Sequence, residues 1–356
     1  MKRFSNIQRI LDALEEGIFL FDNDGVILMW NAAAERILGY LHDEVVGRSA
    51  YTLLRGWTQP WLRDPGMHVT RIGEFGEVLA VENKEGLERM LSIRAIPYLS
   101  NSGEIEGGVG AFRDISRQLE ELALAQRIQR TLLKGNTCSG GIKVEHVLVP
   151  QQVVGGDHFK LVKQAEDRFL LFVGDFTGHG VVGAMYTVML DRLLEEHGPK
   201  ADSPADFAGW LNAELDSLMS PGYSCSAVIG VFDLGRRTFT YVQAGSPAFL
   251  SCAPGGEMRE HESNSPPLAM FSEANFVQDE MPVEPGHCFL LYSDGVVEAK
   301  NSHGEEIGVE GVSMIARQFH LRNGDWEPQD FLDRIREKHA EHTFRDDVLI
   351  VKVTLP

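Results

Sequence analysis

The sequence predicts an α+β protein of two globular parts joined by a helix, and three observations carry that expectation. Strand-like apolar runs broken by Gly and Asx turns occupy the first part. A stretch without Gly or Pro and rich in helix formers follows. Beyond it come strongly apolar strands, several of them flanked by aspartate, interleaved with helical segments. The 356 residues, 43% hydrophobic and 24% charged, have ordinary globular composition, and at about 100–200 residues per domain they make two domains. The expected organisation is a first domain at 1–116, a helical linker at 117–137 and a second domain at 138–356.

The balance of 52 acidic against 33 basic residues gives a formal charge of −19, which disfavours nucleic acid and anionic membrane surfaces because both reward clustered Lys and Arg. A protein or small-molecule partner is expected instead. No apolar run approaches the roughly 18–20 residues of a membrane-spanning helix, and the opening MKRFSNIQRILDALEEG has no signal-peptide core. No membrane insertion and a cytoplasmic location are therefore expected. Cys138, Cys225, Cys252 and Cys288 are dispersed and form no Cys-x-x-Cys pair, so they read as reduced, buried thiols.

In the first domain, GIFLFDNDGVILMWN holds two strand-like runs around Asp22-Asn23-Asp24-Gly25, a hairpin with an Asx/Gly turn. AAAERILGY is helical by composition, and EVLAVENK, RMLSIRAIPYL and GGVGAFRDIS are strand-like, so the order is strand pair, small helices, strand meander. Gly17, Asp22, Gly25, Ile27 and Asn31, with LGY-x-x-x-EVVG at 38–47 and FRDIS at 112–116, resemble a PAS domain. That resemblance implies a sensory role, through an unknown small ligand or through dimerisation. His42 and His68 are single histidines, for which solvation or hydrogen bonding is the ordinary reading rather than haem ligation. The cysteine-bearing segment of flavin-binding light sensors is missing, since Cys138 is the first cysteine.

The linker, SRQLEELALAQRIQRTLLK, is expected to be one continuous helix. Heptad positions 115, 119, 122, 126, 129 and 133 carry Ile, Leu, Leu, Gln, Gln and Leu, a seam for a marginal coiled coil, with an inert spacer helix as the other reading. With the PAS-like domain it favours a homodimer. On the seam reading, leucine at both Gln126 and Gln129 locks one pairing, while the isolated domain 138–356 keeps its own rate.

The second domain places aspartates against buried strands: Asp157 in VVGGDHF, Asp175 ending RFLLFVGD, Asp294 ending HCFLLYSD, and Asp346 and Asp347 opening DDVLIVKVTL. A carboxylate there is costly unless it is paired or binds metal. Repeated at several strand ends, the pattern describes oxygen ligands gathered for hard cations. Gly155-Gly156 permits close backbone approach, and Gly178-His179-Gly180 leads into the helical AMYTVMLDRLLEEH, a loop and helix start suited to phosphate.

VGGD at 154–157, GDFTGHGVVGA at 174–184, YVQAGSPA at 241–248, LYSDGVVEA at 291–299 and RDD at 345–347 together resemble the SpoIIE-type branch of the PPM protein phosphatases, which includes RsbU-like activators of bacterial stress-sigma-factor pathways. RIQRTLL at 127–133 is similar to the segment preceding that catalytic domain. The resemblance implies an α-β-β-α sandwich and a phosphoserine/phosphothreonine hydrolase using two Mn or Mg ions. It implies that Asp175 bridges the ions, with Asp157 and the Phe176 carbonyl completing one position and Asp294 with Asp346 the other. Asp347, Gly156 and Gly178 lie around them. His179 serves as general acid on that implication, or simply fills the loop. The implied substrate is a phosphorylated STAS-domain protein of the anti-sigma-factor antagonist type. Leu349 departs from the family pattern, which often has threonine there.

Three other readings fit less of the chain. Gly155-Gly156-Asp157-His158-Phe159 also resembles the diguanylate cyclase signature, but only about twenty residues separate it from the linker helix, too few for a nucleotide-binding fold. A histidine kinase needs a phosphoacceptor histidine, and 117–134 has none. A catalytically inactive partner-binding regulator would not need the four intact aspartates.

Overall fold

The computed structural model describes residues 9–54, 75–100, 103, 105–133, 138–139, 141–151, 153–178, 180–301, 303–320, 326–339 and 344–356. The chain divides into two compact units, Met1–Glu121 and Leu122–Pro356, and the division falls inside the helix Ser116–Leu133.

The first unit is built on an antiparallel sheet of β1 (Gly17–Asp22), β2 (Ile27–Trp30), β3 (Phe75–Glu82), β4 (Glu88–Leu99) and β5 (Ile105–Asp114), in the order β2-β1-β5-β4-β3. The expected hairpin forms, and Asp22 explains its turn: Oδ1 accepts the Asp24 and Val26 N–H groups at 3.0 and 2.9 Å while Gly25 takes φ 76°. Phe19, Phe21, Trp30 and Phe112 fill the core. The Phe19 and Phe21 rings cover Gly110 and Gly108, where a β-carbon would lie 2.2–2.3 Å from a ring atom. Buried Asn31 caps the helix Ala32–Leu38 through the Ala34 N–H, accepts the Ile18 N–H and donates to the Leu11 and Glu16 carbonyls. His42 Nδ1 lies 3.1 Å from the Trp30 carbonyl oxygen, a hydrogen-bonded histidine. His68 lies outside the described residues.

The second unit stacks two antiparallel sheets. Its strands are β6 (Cys138–Ser139), β7 (Ile142–Val149), β8 (Asp157–Lys163), β9 (Arg168–Phe176), β10 (Cys225–Asp233), β11 (Thr238–Ala244), β12 (Phe249–Cys252), β13 (Met258–His261), β14 (Gln278–Pro282), β15 (Cys288–Tyr292) and β16 (Val348–Thr354). One sheet runs β14-β11-β10-β9-β8 and the other β13-β12-β15-β16-β7-β6. The helices Val181–His197 and Pro204–Leu218 pack on the outer face of the first, and Gly308–His320 and Pro328–His339 on the outer face of the second. That is the expected α-β-β-α sandwich.

Strands buried on both faces read as continuous apolar runs, and β9 shows why. Phe169, Leu171 and Val173 point between the sheets, while Leu170, Phe172 and Phe176 point to the helices. The same two-residue period places Phe159 and Leu161 of β8, Phe289 and Leu291 of β15, and Leu349 and Val351 of β16 between the sheets. Extended one step past the apolar core, these four inward stripes arrive at Asp175, Asp157, Ser293 and Asp347. The polar residues thus meet at one end of the sandwich because strand parity brings them there.

Candidate active site

Asp157 and Asp175 are direct cross-strand partners on β8 and β9, 0% and 9% exposed. Like charges directly opposed weaken a sheet, and burial makes the pairing costlier still. Burial first, then the charges of Asp175 and Asp347, push the Asp157 carboxyl well above the usual carboxylate range. Asp175 is raised to about 8 by burial and by Asp294, Asp346 and Asp347. Asp294, opening the short helix Asp294–Val297 after β15, is raised to about 6 by burial and by Asp346 and Glu298. The charges of Asp175 and Asp294 act on Asp157, and those of Asp294 and Asp346 act on Asp175, which places Asp157, Asp175, Asp294 and Asp346 in one neighbourhood.

The turn before β8 is built for close approach. A β-carbon on Gly156 would stand 2.8 Å from the Phe176 carbonyl oxygen and 3.0 Å from Asp175 Oδ1. One on Gly183, in the first turn of Val181–His197, would stand 2.5 Å from the Gly178 carbonyl oxygen and 3.1 Å from the Gly156 α-carbon. The helix start and the glycine turn therefore touch. Gly178 has φ 96°, which favours glycine. His179 lies outside the described residues.

Asp347 is occupied as a staple. Its Oδ1 accepts the Gln151 N–H and its Oδ2 the Gly156 N–H, both at 2.7 Å, which ties the start of β16 to the glycine turn. Both of its carboxylate oxygens are thus engaged by backbone donors. The departure at Leu349 leaves no gap: its side chain joins the inter-sheet core and its N–H donates to Ser293 Oγ at 2.9 Å.

A cation fits this donor set. Among the described residues Asp157 Oδ1 and Asp294 Oδ1 are buried without a hydrogen-bond partner. Unpaired buried carboxylate oxygens are the groups a hard cation satisfies, and an all-oxygen set selects Mg or Mn over softer metals. No three described Asp, Glu, His or Cys side chains converge as closely as a tight coordination sphere. The carboxylates instead stand around a common edge, coupled through their charges.

Two residues of this site carry no sequence signal that isolates them. Ser293, 5% exposed, donates to Asp157 Oδ2 at 3.1 Å, although a serine before a helix reads as an N-cap. Gln129, 6% exposed, donates to the Gly155 carbonyl oxygen at 2.6 Å and to Thr187 Oγ1 at 3.3 Å, and its Oε1 lies 3.4 Å from the Gly155 nitrogen. The expectation that Gln129 sits in a coiled-coil seam is corrected: its amide is spent on the glycine turn, two residues from Asp157.

The sequence model of the family described as Stage II sporulation protein E (SpoIIE) matches residues 165–356, and that of the PAS fold matches 5–115. Asp157 precedes the SpoIIE match; the sheet brings it to Asp175 nonetheless. The chain is 26% identical over 182 residues to "Phosphoserine phosphatase RsbP" of Bacillus subtilis, covering 50% of this chain and 45% of that protein. It is 22% identical over 195 residues to "Phosphoserine phosphatase RsbU" of Bacillus subtilis, covering 54% and 58%. The chain thus spans about half the length of these curated relatives. The SiaA-PP2C domain of Pseudomonas aeruginosa superposes with a TM-score of 0.58 at 25% identity, over 67% of this chain and 98% of that domain.

Proposed function

The chain belongs to the SpoIIE family, and from that premise we propose that its second unit is a metal-dependent phosphatase for protein phosphoserine or phosphothreonine, governed by the PAS-like first unit. The observation that carries this reading is the buried, directly opposed pair Asp157 and Asp175 with Asp294 and Asp346 beside it. A phosphorylated side chain brings about −1.5 to −2 charges at pH 7. Such an edge repels it unless cations intervene.

Two Mn or Mg ions would be held with Asp175 shared, Asp157 and the Phe176 carbonyl at one position, and Asp294 with Asp346 at the other. When bound, they supply an activated water and neutralise phosphoryl charge. The residues of the chain do the positioning. Gly156 lets the Phe176 carbonyl and Asp175 come close, and Asp347 fixes the turn that carries Asp157. His179, between Gly178 and Gly180, takes the role of general acid toward the leaving oxygen.

The substrate in this reading is a phosphorylated STAS-domain protein, supported by the likeness to two proteins named as phosphoserine phosphatases. Two copies pair through the PAS-like unit and the linker helix, on which Leu124 and Ile128 are each 53% exposed. A cytoplasmic location accords with the finding that no helix among the described residues is long and apolar enough to cross a membrane. The test is phosphate release from a phosphoserine protein. Mn or Mg should support it, EDTA should stop it, and Asp175→Asn or Asp294→Asn should reduce it to background in folded protein. Wild-type turnover in both variants overturns the metal assignment, and bound Mn without any phosphate release leaves a regulator that only binds its partner.

A further inference from the structure

Ser293 ends the inward stripe of β15 and immediately precedes the helix Asp294–Val297. Serine at that position ordinarily caps the helix with its hydroxyl. Here the hydroxyl makes no capping bond. It accepts the Leu349 N–H at 2.9 Å, and of the two acceptors within reach of its single hydrogen Asp157 Oδ2 is the nearer at 3.1 Å, with the Asp347 carbonyl oxygen at 3.3 Å. The Ser293 N–H in turn donates to the Leu349 carbonyl oxygen at 3.0 Å, so the residue is fixed from both sides before it meets Asp157.

Asp157 has no solvent exposure, and its other oxygen, Oδ1, has no partner among the described residues. One oxygen is thus held by a hydroxyl and the other is left open. Of the charges acting on this carboxylate, those of Asp175, Asp347 and Asp294 are all repulsive, and the Ser293 hydroxyl opposes them.

We propose that Ser293 is a positioning residue for the cation site: its hydroxyl holds Asp157 by Oδ2 so that Oδ1 is presented to the ion. The proposal rests on the metal-dependent reading above and adds to it a residue that acts through Asp157 without touching substrate. Partners behind metal ligands typically govern affinity by about 10- to 100-fold.

The experiment titrates Mn into the full chain by calorimetry, with circular dichroism to verify folding. Ser293→Ala should bind Mn at least about tenfold more weakly at the position that includes Asp157, and Ser293→Thr, which keeps the hydroxyl, should restore affinity to within about threefold. In an Asp157→Asn background, adding Ser293→Ala should change Mn binding no further. Wild-type affinity in folded Ser293→Ala, equal loss in the Ala and Thr variants, or a further loss of the same size in the Asp157→Asn background each overturns the assignment. If Ser293→Ala does not fold, Ser293→Cys decides, since a thiol occupies the space but donates weakly: weakened binding supports the proposal and unchanged binding overturns it. A wild-type chain that takes up no Mn overturns the metal reading itself, whereas normal uptake with an unaffected Ser293 variant overturns this inference alone.

Discussion

Asp157 and Asp175 oppose each other across two strands, so each carries a cost that only a proton or a cation removes. Folding raises Asp175 to about 8 and Asp294 to about 6, above the ordinary carboxylate range. A carboxyl that binds its proton more tightly when folded contributes stability that is fully present below its unfolded pKa and is lost as pH rises through its folded pKa. Metal-stripped protein should therefore lose stability between about pH 4 and pH 8, by roughly 2 kcal/mol or more. Asp175→Asn should flatten that fall, and Mn should offset it in the wild type; urea unfolding across pH in EDTA and in Mn measures both. A wild-type curve in EDTA that rises over this window would refute the electrostatic account. The aspartates were legible in the sequence because charge abutting an apolar strand is anomalous wherever it occurs. Ser293 was not, because a serine before a helix has an ordinary explanation, and only the packing of β15 against β8 and β16 shows that its hydroxyl is used elsewhere.

Elements show the same division between what pattern reveals and what packing decides. The linker formed as a helix over Ser116–Leu133, as its composition predicts, but heptad spacing alone cannot tell which partner a polar seam residue will find. Gln129 found Gly155. Leucine at 126 and 129 then does not simply strengthen a pairing: at 129 it strips the Gly155 carbonyl of its donor and should cost about 1–3 kcal/mol of stability. Mn-dependent turnover should fall with it, since the same turn carries Asp157. Gln126→Leu alone, at a half-buried position, should leave both nearly unchanged; equal effects of the two substitutions would sink this account. A second element is tuned differently. Ala269 takes φ 58° with its N–H donated to Asn212 Oδ1 at 2.8 Å, while Asn212 Nδ2 donates to the Phe271 carbonyl at 3.1 Å. A left-handed alanine is strained, so Ala269→Gly should raise stability by about 0.5–1 kcal/mol after glycine's own entropy cost. Asn212→Ala should lower it, and thermal unfolding of the two variants gives both signs.

At the scale of the molecule, the composition and the motif order made two domains and a helical connection legible, while the place where one unit ends was not. Helix formers continue without a break from Ser116 to Leu133, so nothing local marks the division after Glu121. What assigns the later part of this helix to the second unit is tertiary: Gln129 is buried there, bonded to Gly155 and Thr187. The cut that sequence favours, at 138, therefore removes a contact belonging to the second unit. A fragment 138–356 should retain the sandwich, because its core clusters lie wholly within it, but should leave the Gly155 carbonyl without the Gln129 amide. With about 1–3 kcal/mol at stake and about 2–4 °C per kcal/mol for a domain of this size, it should melt roughly 2–12 °C below the fragment 122–356. Its Mn-dependent rate should be lower as well, since Gly155 adjoins Gly156 and Asp157. Gln129→Ala in the longer fragment separates this effect from loss of helix length, and it should reproduce most of the drop. If 138–356 matches 122–356 in melting temperature and rate, the Gln129 bond is incidental and the linker helix ends as a spacer.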